Sequence, residues 1–260
     1  MMRIKMHWIL LSLGVTAATM QAPAADVRQA TPISGITFAA LPGSIYIPAR
    51  ALAEQVKQPV QFDSQSGTVL IGVNKLPAAE VLLNGTSLVR ITDAEKLGAV
   101  VMWDAPSNTA TLSWLGAQFQ VKPGDKRVVV DKATQHMLAY QGDTVVLDTP
   151  VSTGRPGHNT PNGSFHLGPT KELMHYSHLY DDAPMPFCVQ VDGNVFIHGF
   201  TSVPKYPASH GCIRVPLTHG NPAKWFYNWV DLGTPVTIQG DWTGGENRGH
   251  RHRHRVRHHV

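Results

Sequence analysis

Ser209-His210-Gly211-Cys212-Ile213-Arg214 sets a thiol directly after a glycine, and His198-Gly199 lies upstream, with only Gly199 to Ala208 between His198 and Ser209. A thiolate is a far better nucleophile than a thiol, and a neighbouring imidazole can supply it. Free cysteine titrates near roughly 8.5 and histidine near roughly 6.5, so neither alone suits neutral pH. Placed together they could form an ion pair. Gly211 would let the backbone approach a reacting carbonyl closely. The N–H groups around Gly211 and Cys212 could then hold an oxyanion. Taken alone, a cysteine beside a glycine is equally a small buried hydrophobe.

The composition around this stretch narrows the chemistry. The chain has 260 residues, 42 % hydrophobic and 15 % charged, enough for one large domain or two ordinary ones and too apolar for a mainly disordered chain. Two cysteines exclude a disulfide-stapled miniprotein and a four-cysteine zinc module. Residues 25–124 contain neither His nor Cys, whereas residues 125–240 contain eight His and both Cys, so nucleophilic or metal chemistry belongs to the second half. The net charge of +4 comes from the ends: residues 25–247 carry −3. A basic body that tracks a nucleic acid is excluded on that ground.

The two ends read as accessories. Arg3 and Lys5, the uncharged run Trp8–Met20 and the small residues of Ala22-Pro23-Ala24 predict an export signal over residues 1–24, cleaved near Ala24. That places the mature protein in the periplasm or cell envelope. Residues 243–260 end in alternating Arg and His and predict a disordered tail able to contact anionic envelope polymers.

Between the ends, Lys122-Pro123-Gly124-Asp125 marks a turn, so a small α+β module over 25–122 and a catalytic domain over 123–242 are expected. The first module carries an internal repeat. Tyr46–Ala53 followed by Val60–Asp63 is echoed by Leu88–Glu95 followed by Val101–Asp104. Each copy predicts a short helix, a strand, an Asp-led turn and another strand. The second half reads as mainly β. Gln141-Gly142-Asp143 and Asp192-Gly193-Asn194 predict hairpin turns. One principal helix is expected over Ala223–Val230, with Asn221 as N-cap and Pro222 at its first position, and a final strand over Pro235–Ile238.

The second half resembles the L,D-transpeptidase catalytic (YkuD) family. The resemblance rests on the upstream His198, on Ser209-His210-Gly211-Cys212-Ile213-Arg214, on Val151-Ser152-Thr153-Gly154, on Thr160–Phe165, on Met185-Pro186-Phe187 and on Gly233-Thr234-Pro235-Val236. It implies a YkuD-like mixed β-sandwich and peptidoglycan stem peptides as substrate, with an amine acceptor on the wall or on a lipoprotein. It also implies Cys212 as nucleophile, His198 as general base and the Gly199 carbonyl as the group that orients the imidazole. Ser209, His210 and Gly211 would shape the pocket and oxyanion site. Arg214 would either bind a substrate carboxylate or brace the loop. No cofactor and no metal are expected. The loop between His198 and Ser209 is shorter than is usual in the family, which bears on the acceptor side. The first module resembles the stalk module named after the N-terminal domain of copper amine oxidases, though it has no residues for a copper site.

Other residues keep two readings. His175 and His178 could ligate zinc from one helical face, or belong with Tyr176, Leu179 and Tyr180 to an active-site lid. Cys188 could pair with Cys212 and silence it, or stay a buried free thiol. His136, His158, His166 and His219 read as surface or hydrogen-bonded residues. Water as acceptor would make the protein an L,D-carboxypeptidase or amidase, and a degenerate site would leave a wall-binding protein.

Overall fold

The computed structural model describes residues 31–63 and 65–244. The expected export signal, and the tail from residue 245 onward, lie outside the described residues. What is described is mostly β-structure with little helix.

The second half is two sheets with a helix packed against them. One sheet has five strands in the order Thr144–Pro150, His136–Gln141, Lys126–Asp131, Pro235–Gln239 and Gly163–His166. The other has four: Lys171–Ser177, Ala183–Asp192, Val195–Phe200 and Ile213–Pro216. Strict alternation builds the layer between them. Val128, Val130, Met137, Ala139, Val189, Ile197, Ile213 and Val215 all point into one core. Each hairpin turn has its glycine at positive φ, Gly142 at 55° and Gly193 at 47°.

The helix, Pro222–Trp229, starts where its signals place it. The Asn221 side chain accepts from the Lys224 N–H at 3.0 Å, and Pro222 occupies the first turn. Ala223, Phe226 and Trp229, spaced three apart, are buried against the sheet. Burying the Phe226 side chain alone contributes about 2 kcal/mol. At the other end Lys126 and Lys171 donate to the carbonyls of Trp229 and Val230 at 2.6 and 2.7 Å, where the helix is electronegative.

The first half shows the repeat, with the same difference from expectation in both copies: neither Tyr46–Pro48 nor Leu88–Arg90 is helical. Leu88–Arg90 lies in the strand Ser87–Arg90, and a 3-10 helix follows over Ile91–Leu97. The first copy has the same order, strand Tyr46–Pro48 and then helix Ala49–Gln55. The two lead strands pair antiparallel, with Ile47 opposite Val89, so each copy completes the other's sheet. β-branched and aromatic residues at those positions favour pairing over the helix their neighbours form.

The halves share a core. Ile36, Phe38, Tyr46, Leu82 and Leu88 join the apolar cluster of the second half, and Phe38 meets Trp225 edge-on at 5.6 Å. At the centre sits Gln141, only 1 % exposed. Its carbonyl oxygen accepts from the Thr37 N–H and the Trp229 indole, both at 3.0 Å. Its amide nitrogen donates to the Thr37 hydroxyl at 2.9 Å and the Gly124 carbonyl at 3.1 Å.

Candidate active site

Two strands carry the thiol and the imidazole singled out in the sequence. Val195–Phe200 and Ile213–Pro216 run parallel, with His198 opposite Arg214, and Cys212 immediately precedes the second strand. Residues 196, 198, 212 and 214 therefore share a face, while Ile197, Ile213 and Val215 fill the core behind it. That face opens into a cavity of about 440 Å³ lined by Cys212, His198, Arg214, Ser209 and His210. A cavity of about 530 Å³ between Phe38, Leu41, Ile91 and Trp103 contains no thiol and no imidazole.

The loop carrying Cys212 is held from below. Ser152 exchanges two backbone hydrogen bonds with Arg214, and the Thr153 carbonyl accepts from the N–H groups of Ala208 and Ser209. The Ser209 hydroxyl, 1 % exposed, receives the Gly211 N–H at 3.1 Å and itself donates to the Cys212 carbonyl. Thr160 accepts from Gly154 N–H at 2.9 Å and donates to the Gly211 carbonyl at 2.7 Å. Gln135, fully buried, anchors Thr153 through both its amide oxygen and its amide nitrogen. Gln135 is not singled out by the sequence, and Thr160 only as the first residue of the Thr160–Phe165 stretch. A buried polar residue is legible as such only once its partners are known.

Glycine is required at two points of this frame for different reasons. Gly211 has φ of 121°, which an L side chain rarely adopts. Gly154 has ordinary φ, but a Cβ there would lie 1.9 Å from the His158 carbonyl oxygen.

Hydrogen bonding defines the imidazole tautomer. His198 Nδ1 lies 3.0 Å from the Gly199 carbonyl oxygen. A carbonyl can only accept, so Nδ1 carries the hydrogen and Nε2 is the basic nitrogen. Burial, with His198 only 5 % exposed, pulls this imidazole down to about 4. The nearby Arg214 and His175 push the same way, and the Gly199 carbonyl opposes them. Burial also raises the Cys212 thiol above its ordinary value, against the pull of the Phe196 N–H and the Arg214 guanidinium. The thiol S–H lies 3.6 Å from the Asn194 carbonyl oxygen. Both shifts run against an ion pair between the two groups.

Arg214 lies with its guanidinium 4.1 Å from the centre of the Phe200 ring and, among the described residues, forms no salt bridge. His210 meets the Tyr180 ring at 4.5 Å and the His158 ring at 5.0 Å; His158, read as a surface or hydrogen-bonded residue, lies 3.5 Å from the Arg155 guanidinium. Burial, and then the charge of Arg155, lower the His210 imidazole.

His175 and His178 do not share a helical face. His175 lies in the strand Lys171–Ser177 and His178 in the turn beyond it, and each binds its own carboxylate at 2.8 Å, Glu172 and Asp182 respectively. The hairpin tip, with Leu179 and Tyr180, overhangs the cavity. Among the described residues no group of three or more His, Cys, Asp or Glu is arranged to hold a metal ion. Cys188 is a free, fully buried thiol in the small cluster of Met185 and Phe196 against which Cys212 packs. Burial, reinforced by Cys212, raises it strongly.

Residues 125–238 match the family model of the L,D-transpeptidase catalytic domain, YkuD. No curated protein matches the chain. Among solved structures, an L,D-transpeptidase (Yku) from Stackebrandtia nassauensis is 26 % identical with a TM-score of 0.42, over 48 % of this chain and 60 % of that one. An L,D-transpeptidase from Xylanimonas cellulosilytica is 28 % identical with a TM-score of 0.40, over 45 % and 64 %. An L,D-transpeptidase from Mycobacterium smegmatis is 19 % identical with a TM-score of 0.41, over 81 % and 100 %. The chain thus spans less than two thirds of the length of the first two.

Proposed function

With residues 125–238 recognised as a YkuD-type L,D-transpeptidase catalytic domain, we propose that the protein is a peptidoglycan L,D-transpeptidase of the periplasm or cell envelope. The observation that carries the reading is the orientation of His198. Its Nδ1–H is committed to Gly199, and its Nε2 is the base in the cavity that also holds Cys212. The export signal predicted over residues 1–24 supports the location.

In the first half-reaction Cys212 attacks the carbonyl joining the third, diamino acid residue of a tetrapeptide stem to its terminal D-alanine. The thiol proton passes to His198 Nε2. The Cys212 N–H stabilises the oxyanion, since the Gly211 N–H is held by the Ser209 hydroxyl, and the Arg214 guanidinium, without a carboxylate partner among the described residues, takes the stem's own carboxylate. The C–N bond breaks, His198 returns the proton to the leaving amine, D-alanine departs, and a thioester remains on Cys212. In the second half-reaction an amine attacks the thioester, a new amide forms and the thiol is regenerated. With its Nδ1–H held by Gly199, His198 keeps Nε2 directed to take the thiol proton and to return it within the cycle.

Intact-protein mass after incubation with a carbapenem tests the nucleophile. Wild-type protein should gain the mass of the β-lactam and Cys212→Ser should not. Labelling that persists in Cys212→Ser would overturn the assignment. Digested wall from cells that overproduce the protein then tests the acceptor. Cross-links between diamino acids support transfer, and trimmed stems alone would make it an L,D-carboxypeptidase.

A further inference from the structure

The lid strand carries a second imidazole that the proposed cycle does not use. His175 lines the same cavity as Cys212 and His198 and stacks on the Phe196 ring at 5.0 Å. Its Nδ1 lies 2.8 Å from Glu172 Oε2. A carboxylate can only accept, so Nδ1 carries the hydrogen and Nε2 is left as a base. The arrangement repeats that at His198, with one change: the orienting oxygen belongs to a carboxylate instead of a carbonyl. A carboxylate stabilises an imidazolium, whereas a buried site without one resists it. His175 is also the more accessible of the two, with its side chain 25 % exposed, and it stands on the hairpin that overhangs the cavity mouth.

The two half-reactions ask for different bases. The first moves a proton from Cys212 to the buried His198. The second must take one from an incoming amine, which arrives from solvent largely as ammonium. We infer that His175, positioned by Glu172, is the base of the acceptor half-reaction of the proposed transpeptidase. The ammonium first loses a proton to solvent. The amine lone pair then forms the C–N bond to the thioester carbonyl while a second N–H proton moves to His175 Nε2. The C–S bond breaks and sulfur leaves with the bonding pair. The imidazolium returns its proton to that thiolate, so the cycle closes with a neutral thiol.

The inference rests on the acyl-transfer reading, and the test separates the two. Full-length protein is mixed in single turnover with a tetrapeptide donor ending in D-alanine, with glycine or hydroxylamine as acceptor at pH 7. Hydroxylamine nitrogen is weakly basic, so its adduct with the thioester carbonyl sheds the N–H proton to water without a protein base. His175→Gln should keep D-alanine release within about twofold of wild type while transfer to glycine falls about 10²-fold. Acyl-enzyme should then accumulate by intact mass. Glu172→Gln, which leaves the ring in place, should show a smaller loss in the same step. Hydroxylamine should largely restore turnover to both. Equal losses in both half-reactions, unchanged transfer to glycine, or no rescue by hydroxylamine would overturn the role of His175. Wild-type protein that releases no D-alanine would overturn the transpeptidase reading itself, and this inference with it.

Discussion

The Thr160 hydroxyl donates to the Gly211 carbonyl at 2.7 Å, joining residues 51 positions apart in the chain. Through this contact the strand-poor segment after Gly154 supports the peptide immediately before Cys212. The Thr160 oxygen is 1 % exposed and also accepts from Gly154, so both of its partners lose a bond if it is removed. Thr160→Val should therefore destabilise the fold by about 1–3 kcal/mol in urea denaturation. It should also slow carbapenem acylation of Cys212, and Thr160→Ser should recover most of both.

Gly154 and Gly211 should fail differently. At Gly154 an added Cβ collides with backbone, which cannot swing aside, so Gly154→Ala should lower the melting temperature sharply. At Gly211 a Cβ would meet nothing closer than 3.8 Å, and the cost is the φ of 121°, on the order of 1–3 kcal/mol. Relaxing that strain turns the N–H groups beside Cys212. Gly211→Ala should thus lose acylation rate out of proportion to its loss of stability, as comparison of the two variants by calorimetry and by mass labelling would show.

The pH dependence follows from the burial of His198. Its folded value, about 4, is below its ordinary 6.5. Between those values the unfolded chain binds a proton that the folded one does not, so stability is full above about pH 6.5 and falls as pH drops toward 4. The contribution reaches on the order of 3 kcal/mol. His198→Gln should flatten that part of the stability curve, measured by chemical denaturation at pH 7 and pH 4.5. In the same interval the wild-type imidazole stays neutral, so mild acid should not abolish acylation through this residue.

How much of this was legible in the sequence varied with the kind of interaction. Local signals carried far. Glycines at the hairpin turns, Asn221 and Pro222 at the helix start, and the alternation of Val128 and Val130 each report on their own few residues. Leu88–Arg90 misled because its strand character is set by pairing with Tyr46–Pro48, a partner from the other repeat. The thiol and imidazole stood out by type and motif, but the direction of their shifts depends on burial, which spacing does not encode. The buried hydrogen bonds of Gln135, Gln141 and Thr160 are silent for the same reason, although Gln141 and Thr160 stand in stretches read for a turn and for the family motif. His175 was noticed for its spacing from His178, yet its partner is Glu172, three residues on the other side.

Cysteine labelling distinguishes the two thiols. Cys188 is fully buried and strongly disfavoured as thiolate, whereas Cys212 lines the cavity. Under reducing conditions iodoacetamide should modify native protein once, at Cys212, and twice after unfolding. Native Cys212→Ser should take no label. A second label on the native wild type would mean that the cluster of Met185, Phe196 and Cys188 opens readily.

Gln141 makes the last prediction, about cooperativity. Its side chain satisfies the Thr37 backbone, the Thr37 hydroxyl, the Gly124 carbonyl and the Trp229 indole at once. One residue thus ties the N-terminal segment and the principal helix to the central sheet. Gln141→Leu is close in size but leaves the Trp229 N–H and the Thr37 N–H without partners in a dry core, a loss of about 1–3 kcal/mol for each. Because Ile36, Phe38, Tyr46, Leu82 and Leu88 contribute to the core of the second half, the described halves should unfold together, with one calorimetric transition in wild type. Gln141→Leu should lower that transition. If the shared core is what couples the halves, Phe38→Ala in the same background should broaden the transition or split it in two, since it removes the Trp225 and Tyr46 ring contacts from the same seam. Two transitions already present in wild type would show that the seam does not couple them.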